Sequence, residues 1–374
     1  MELQMEARNA RFEDVLELLE MQHETKYDVV VPSTHLRYRS GDLIVRQGAT
    51  LLREDGVSTV DAGLAPTDQF ESHLATRLEI PIQYLRKMRE SDVDLLDINV
   101  NHWLKASERN WFVRGFRGLD DGDTGIARAF LSDRYNVIDH LDAVFAVLEG
   151  VKQGGMDVHI SSADLSERRL RVKIDAPQLR SLAPRFTERY RAPGVEDGSP
   201  EISAGLVVSN SETGGAAFQI APQITILVCR NGMTRTVDAL RKVHLGEKMD
   251  AGVIAWSEDT KRHNIELIRS QATDAVRSFL SQTYLDNVAA ELDEKGQQLL
   301  ERPMEAVDNV GKRLRYSEQE RKDIMELFVR SGDTSHASGV VQAFTEYARD
   351  VANPDRAAEI EEQSFEILAL AAQQ

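Results

Sequence analysis

The segment Trp111-Phe112-Val113-Arg114-Gly115-Phe116-Arg117 interleaves rings with guanidinium groups. Arg128, Phe130, Arg134 and Tyr135 repeat the mixture after a turn. Aromatic rings stack bases without reading sequence, and arginines neutralise phosphates or stack themselves. The two segments read as a platform for single-stranded DNA, with Trp111, Phe116 and Tyr135 under the bases and Arg114, Arg117 and Arg128 on the phosphates. The structural alternative is that the rings fill a core and the arginines face solvent. A second basic run holds Arg168, Arg169, Arg171, Lys173, Arg180, Arg185, Arg189 and Arg191 within 24 residues. In a strand, successive side chains alternate, so Arg169, Arg171 and Lys173 share one face and suit phosphate tracking. A solvated charged face is the alternative here.

Carboxylates offer a different chemistry. Asp120, Asp121, Asp123, Asp133, Asp139 and Glu212 are the candidates to surround magnesium, with His140, His244 or His263 beside them. A metal-dependent nuclease needs at least two carboxylates converging on one phosphate. No spacing in this chain forces that convergence, and residues 120–123 read better as a turn. There is no HExxH, GxSxG, EF-hand or GxxxxGK[ST] pattern. No catalytic residue, metal ligand or cofactor is therefore assigned, and an enzyme is the minority reading. The turns Asn210-Ser211-Glu212-Thr213-Gly214-Gly215 and Asn231-Gly232 carry backbone N–H groups of the kind that hold phosphate, although a structural turn outweighs that role. The single cysteine, Cys229, sits in an apolar run and reads as buried.

These residues need elements to hold them. Residues 205–233 read as strand, polar turn, strand and turn, with Phe218, Ile220, Ile224, Ile226 and Val228 at period two. Pro222 interrupts that run and predicts a bulge or an edge. Residues 111–117 and 126–133 read as a hairpin, as do 156–160 and 169–174. Helices are expected at 10–21, 67–75, 81–89, 91–105, 141–151, 234–243, 260–291, 318–329, 340–350 and 356–369, with Thr67 as a cap. Residues 27–32 and 34–52 alternate as strands do. Strands followed by helices give an α+β fold: a mixed or antiparallel sheet core with packed helices and a helical C-terminal region. The expected divisions are a mixed N-terminal region (1–109), a strand-rich core (110–259) and a helical region packed on it (260–374).

Four stretches in order, AFLSDRYNVIDHLDAV (129–144), NSETGGAAF (210–218), LVCRNGM (227–233) and FTEYARD (344–350), resemble the phage/plasmid-like domain-of-unknown-function 932 (DUF932) family. The resemblance covers roughly residues 110–370. The Trp-His-Gly entry associated with many members is absent from the first hundred residues. The family has no settled activity. The resemblance implies a setting in phages, plasmids and mobile elements, among accessories of replication or recombination.

The net charge of -17 is unevenly spread. Residues 1–30 and 286–374 together supply -14 of it, which leaves an interior near neutrality. Residues 1–20 are acidic without an apolar run, and no run of about 18 apolar residues exists. A cytoplasmic protein of a bacterial host cell, without a membrane partner, is the expectation. The leading function is non-catalytic binding or annealing of single-stranded DNA in recombination or replication. A metal-dependent nuclease and a phage structural or host-interaction protein are the alternatives. The apolar faces of 260–291 and 340–369 are long enough to pack on the sheet or on another subunit, so a homo-oligomer is an open expectation.

Overall fold

Alternation decides the faces of the strands, and apolar stripes decide what covers them. The computed structural model describes residues 6–46, 51–53, 56–58, 62–118, 123–135, 137–187, 201–227, 231–242, 258–330 and 333–374. Asp120, Asp121, Arg189, Arg191, Cys229 and His244 lie outside the described residues.

The chain opens with β1 (Ala7–Ala10), α1 (Phe12–Glu24), β2 (Lys26–Pro32), β3 (Leu36–Arg39) and β4 (Asp42–Val45). A small hairpin, β5 (Leu51–Arg53) and β6 (Gly56–Ser58), precedes β7 (Ala62–Pro66). Helices α2 (Asp68–Arg77), α3 (Ile82–Ser91) and α4 (Val93–Ala106) lead to β8 (Asn110–Phe116) and β9 (Gly125–Ser132). Then come α5 (His140–Gly154), β10 (His159–Leu165), β11 (Leu170–Leu182), the short α6 (Pro184–Thr187), β12 (Glu201–Asn210), β13 (Phe218–Ile226), β14 (Asn231–Thr234) and β15 (Leu240–Lys242). The C-terminal stretch is helical: α7 (Glu258–Phe279), α8 (Gln282–Gly296), α9 (Pro303–Arg313), α10 (Glu318–Arg330), α11 (Ala337–Asp350) and α12 (Pro354–Ala371).

The fold is α+β and has two large sheets. One runs β1-β10-β11-β12-β13-β14, with β15 also on β13; all its pairs are antiparallel. The other runs β2-β8-β9-β7-β4-β3, antiparallel except for β7 on β9. The hairpin 110–132 thus lies in one sheet with strands from residues 26–66. Val172, Ile174, Leu206, Val208, Ile220 and Ile224 join the larger apolar core with residues of α5, α7, α8 and α9–α12. Trp111, Val113 and Phe130 join a second core with residues of α2, α3 and α4. Thr67 caps α2, its side chain accepting from the Phe70 N–H. No helix among the described residues is long and apolar enough to cross a membrane.

Three local expectations change. Pro222 is neither at an edge nor in a bulge. It pairs in regular register with Leu206, and it falls between the residues of β13 that pair with β14 and those that pair with β15. Its missing N–H therefore leaves no ladder bond unmade. Residues 234–243 are not helical where described. Thr234 and Lys242 pair with Gln223 and Phe218 on either side of a 3-10 turn at Thr236–Asp238, so the open flank of β13 overrides local preference. The helix expected over 260–291 is two helices, because Ser281 is extended and its hydroxyl accepts the Tyr284 N–H to start α8.

Gly115 marks the irregularity that matters most for the site. The β8–β9 register shifts there: Arg114 pairs with Ala129, but Gly115 pairs with Ala127. Arg128 is the extra residue of this bulge, and bulges re-aim side chains. A Cβ on Gly115 would lie 2.1 Å from the Ile126 carbonyl oxygen. Gly115→Ala is expected to cost about 1–3 kcal/mol through overpacking, read as a lower midpoint in thermal unfolding. An unchanged midpoint would show that the bulge does not need glycine.

Candidate functional site

The bulge turns Arg128 toward the side of the sheet occupied by Arg114. Both side chains are about 2% exposed. Between them lies Glu212, supplied by the polar turn after β12. Its Oε2 accepts from Arg128 Nη1 at 2.9 Å and lies 3.5 Å from Arg114 Nη2. Its Oε1 accepts the backbone N–H of His140 at 2.7 Å. Asp139, the residue before α5, accepts from Arg114 Nη2 at 2.5 Å and from Lys26 Nζ at 2.7 Å. Asp28 of β2 is 3.5 Å from Arg114 Nη1. Asn210 Nδ2 donates to the Ile138 carbonyl at 2.8 Å and to His140 Nδ1 at 3.0 Å. That donation leaves the ring proton on Nε2. The turn at 210–213 is therefore the joint between the two sheets.

Electrostatics follow from this geometry. Burial pushes the Glu212 carboxyl up, but His140, Arg114 and Arg128 outweigh it and hold it well below the usual carboxylate range. The arginines are the charges that act at neutral pH. His140 is neutral there, since burial drives its pKa down to about 4 against the pull of Glu212. Asp139 is likewise held low by Arg114 and Lys26 despite its burial. Burial pushes Asp28 up, with Arg114 only partly opposing it. The cavity inside this network measures about 10 Å³, room for no more than a water.

A second network covers β11. Arg169, Arg171 and Lys173 do share a face, and α12 lies against it. Arg171 donates to Glu361 at 2.5 Å and to the Thr234 hydroxyl at 3.1 Å. Lys173 donates to the other oxygen of Glu361 at 2.8 Å. Arg169 meets Asp355 at 3.1 Å and Glu362 at 3.2 Å. Glu361 is buried, yet Arg171 and Lys173 hold its carboxyl low.

The stacking and phosphate roles expected for these residues meet a different environment. Trp111 is 2% exposed, its ring 4.8 Å from that of Phe130. Phe116 is 1% exposed and lies under the Arg128 guanidinium, 4.5 Å from it. Tyr135 is half-buried and donates to the Ser211 carbonyl at 3.4 Å. Arg117 is half-buried and its backbone N–H bonds Thr25. Arg114, Arg128, Arg169, Arg171 and Lys173 each face a carboxylate. Trp111 points inward because α2, α3 and α4 cover that side of the sheet, whereas Phe116 lies on the opposite side beneath Arg128, and the cations are matched by acids from distant parts of the chain. Asp139 and Glu212 do converge, but on arginines. Among the described residues no group of three or more histidine, cysteine or acidic side chains is placed to hold a metal ion. An open groove of about 620 Å³ beside β1 and α1 carries Asp14 and Glu17.

The exposed cationic line lies elsewhere, on β3. Leu36 and Tyr38 are buried, and Arg37 and Arg39 are exposed on the opposite face. Neither has an ion-pair partner among the described residues, and the same holds for exposed Arg46 and Arg109. Arg46 and Arg109 join this region through backbone bonds, Arg46 N–H to His35 and Ser33 N–H to the Arg109 carbonyl. The strand is rigidly held. Ser40 and Gly41, at φ 55 and 84, make the tight turn into β4. Asn101 of α4 accepts the backbone N–H of Tyr38 at 2.7 Å and donates to its carbonyl at 2.8 Å, and Asp97 takes the N–H groups of Ser40 and Gly41. The helix thereby closes the sheet edge. The alternation Leu-Arg-Tyr-Arg was the sequence signal for this surface. Comparison with known proteins finds no matching family model, no matching curated protein and no matching solved structure.

Proposed function

We propose that this protein binds single-stranded nucleic acid without performing chemistry on it, and that the contact runs along β3. The observation that carries the reading is the contrast between the two sets of cations. Arg114, Arg128, Arg171 and Lys173 of β8, β9 and β11 are taken up by carboxylates within the fold, whereas Arg37, Arg39, Arg46 and Arg109 are exposed and unmatched among the described residues. Residues 33–46 carry three arginines and one aspartate in a chain of net charge -17. Arg37 and Arg39 stand about 7 Å apart along the strand, comparable with neighbouring phosphates of one nucleic-acid strand. Nothing in such a line reads base edges, so binding would be sequence-tolerant. The resemblance to proteins of phages and plasmids supplies the setting, replication or recombination.

The test is binding of a fluorescent 40-nucleotide single strand across a salt series. Wild type should bind at low salt and weaken steeply as salt rises. Each phosphate contact contributes about 0.7 to the slope of log affinity against log salt for single strands, so Arg37→Ala with Arg39→Ala should reduce it by about 1.4. Lys152→Ala, on the exposed side of α5, is the control. Absence of binding at low salt, or a slope untouched by the double substitution, would sink the reading.

A further inference from the structure

Helix α4 buries one stripe and leaves another uncovered. Leu96, Val100 and Leu104 enter the core, and Asp97 and Asn101 hold β3. On the opposite side Leu95 is 38% exposed, Ile98 66% and Trp103 47%, with exposed His102 and Ala106 among them. At about 100° per residue, Leu95, Ile98, His102 and Ala106 centre on the outer side of the helix. Asp94 and Lys105 fall together on one flank and Trp103 on the other. Asp94 and Lys105 are both exposed and have no ion-pair partner among the described residues.

From this pattern we infer that α4 pairs with α4 of a second copy of the chain, antiparallel, about a two-fold axis near Ile98 and His102. The charge order selects this partner. Asp94 and Lys105 are eleven residues apart, about three turns, so they lie on nearly one line. In an antiparallel pair centred between them, Asp94 of each copy meets Lys105 of the other, twice. The same register sets Leu95 against Trp103 and places Ile98 at the centre. A parallel pair would set like charges side by side. A two-fold axis in the plane of the interface keeps like flanks together. The β3 strands, held on the Asp97 and Asn101 side, therefore finish on one side of the pair. One helix face is smaller than a standard interface of about 800 Å² per partner, so the expected association is weak and reversible.

The experiment is sedimentation equilibrium of the full chain, without nucleic acid, from micromolar to submillimolar concentration. Wild type should show a reversible monomer–dimer equilibrium. Ile98→Glu should be monomeric, and Asp94→Lys and Lys105→Asp should each weaken pairing at least tenfold. An equimolar mixture of the Asp94→Lys and Lys105→Asp proteins should dimerise again, because every cross-pair is then complementary. All three residues are exposed, so thermal unfolding should stay near wild type and exclude misfolding as the cause. A monomeric wild type, a dimeric Ile98→Glu, or a mixture that stays monomeric would each overturn the inference. The inference does not depend on the nucleic-acid reading: dimerisation is measured without ligand, and Ile98→Glu leaves Arg37 and Arg39 in place, so the two can fail separately.

Discussion

Glu212→Ala is expected to lower the free energy of unfolding by about 3–5 kcal/mol, the usual cost of removing one partner from a buried ion pair. Glu212 is one carboxylate serving three groups: Arg128, Arg114 and the His140 N–H. Its removal leaves Arg128 and part of Arg114 charged, buried and unmatched, since an arginine cannot shed its proton at any ordinary pH. Asp139 still holds Arg114, but among the described residues no other carboxylate forms an ion pair with Arg128. Glu212→Gln should cost less, because an amide oxygen can still accept the backbone N–H. Urea unfolding checks both, with the loss read as a shift in midpoint at constant slope. A Glu212→Ala protein within about 0.5 kcal/mol of wild type would show that the joint between the sheets does not rest on this carboxylate. The same logic warns against reading Arg114→Ala as a binding mutant, since its first effect is on folding.

Acid should weaken the fold in a defined window. His140 titrates near 4 when folded and near 6.5 when unfolded. Between those values the unfolded chain binds a proton that the folded chain does not, so stability falls as pH falls. The loss amounts to about 3 kcal/mol across the window, at roughly 1.4 kcal/mol per pH unit. Glu212 and Asp139 have folded pKa values below their usual ones, so their contribution is present above the unfolded carboxylate range and is lost as pH falls further. Asp28 runs the other way, because its raised folded pKa favours the protonated folded state. Urea unfolding at pH 7.5, 6 and 5 should show a positive slope of stability against pH, to which His73, also driven down to about 4 by burial, contributes beside His140, and which His140→Gln reduces by about half. A flat wild-type profile from pH 6.5 to 4.5 would contradict a buried neutral His140.

Much of the local organisation is legible from residue order. Period two assigns Trp111 and Val113 to one face of β8 and Arg114 to the other. It also aligns Arg169, Arg171 and Lys173 on β11, and it separates Leu36 and Tyr38 from Arg37 and Arg39 on β3. Thr67 at the start of α2 and the apolar stripes of α10, α11 and α12 are readable in the same way. Each depends on neighbours a few residues apart.

What faces these residues is decided over long range. Glu361 meets Arg171 across 190 residues, and Glu212 meets Arg128 across 84. Periodicity says which side of a strand a cation occupies, but not whether water or a carboxylate waits there. The bulge at Gly115 adds a one-residue slip, which alternation cannot foresee and which carries Arg128 to the side of Arg114. Residue order by itself determined the elements and their faces, because those follow from steric and hydrophobic rules within a few residues. Only the tertiary structure decided which cations are buried in pairs and which stay exposed, because charge compensation depends on the elements that packing brings together.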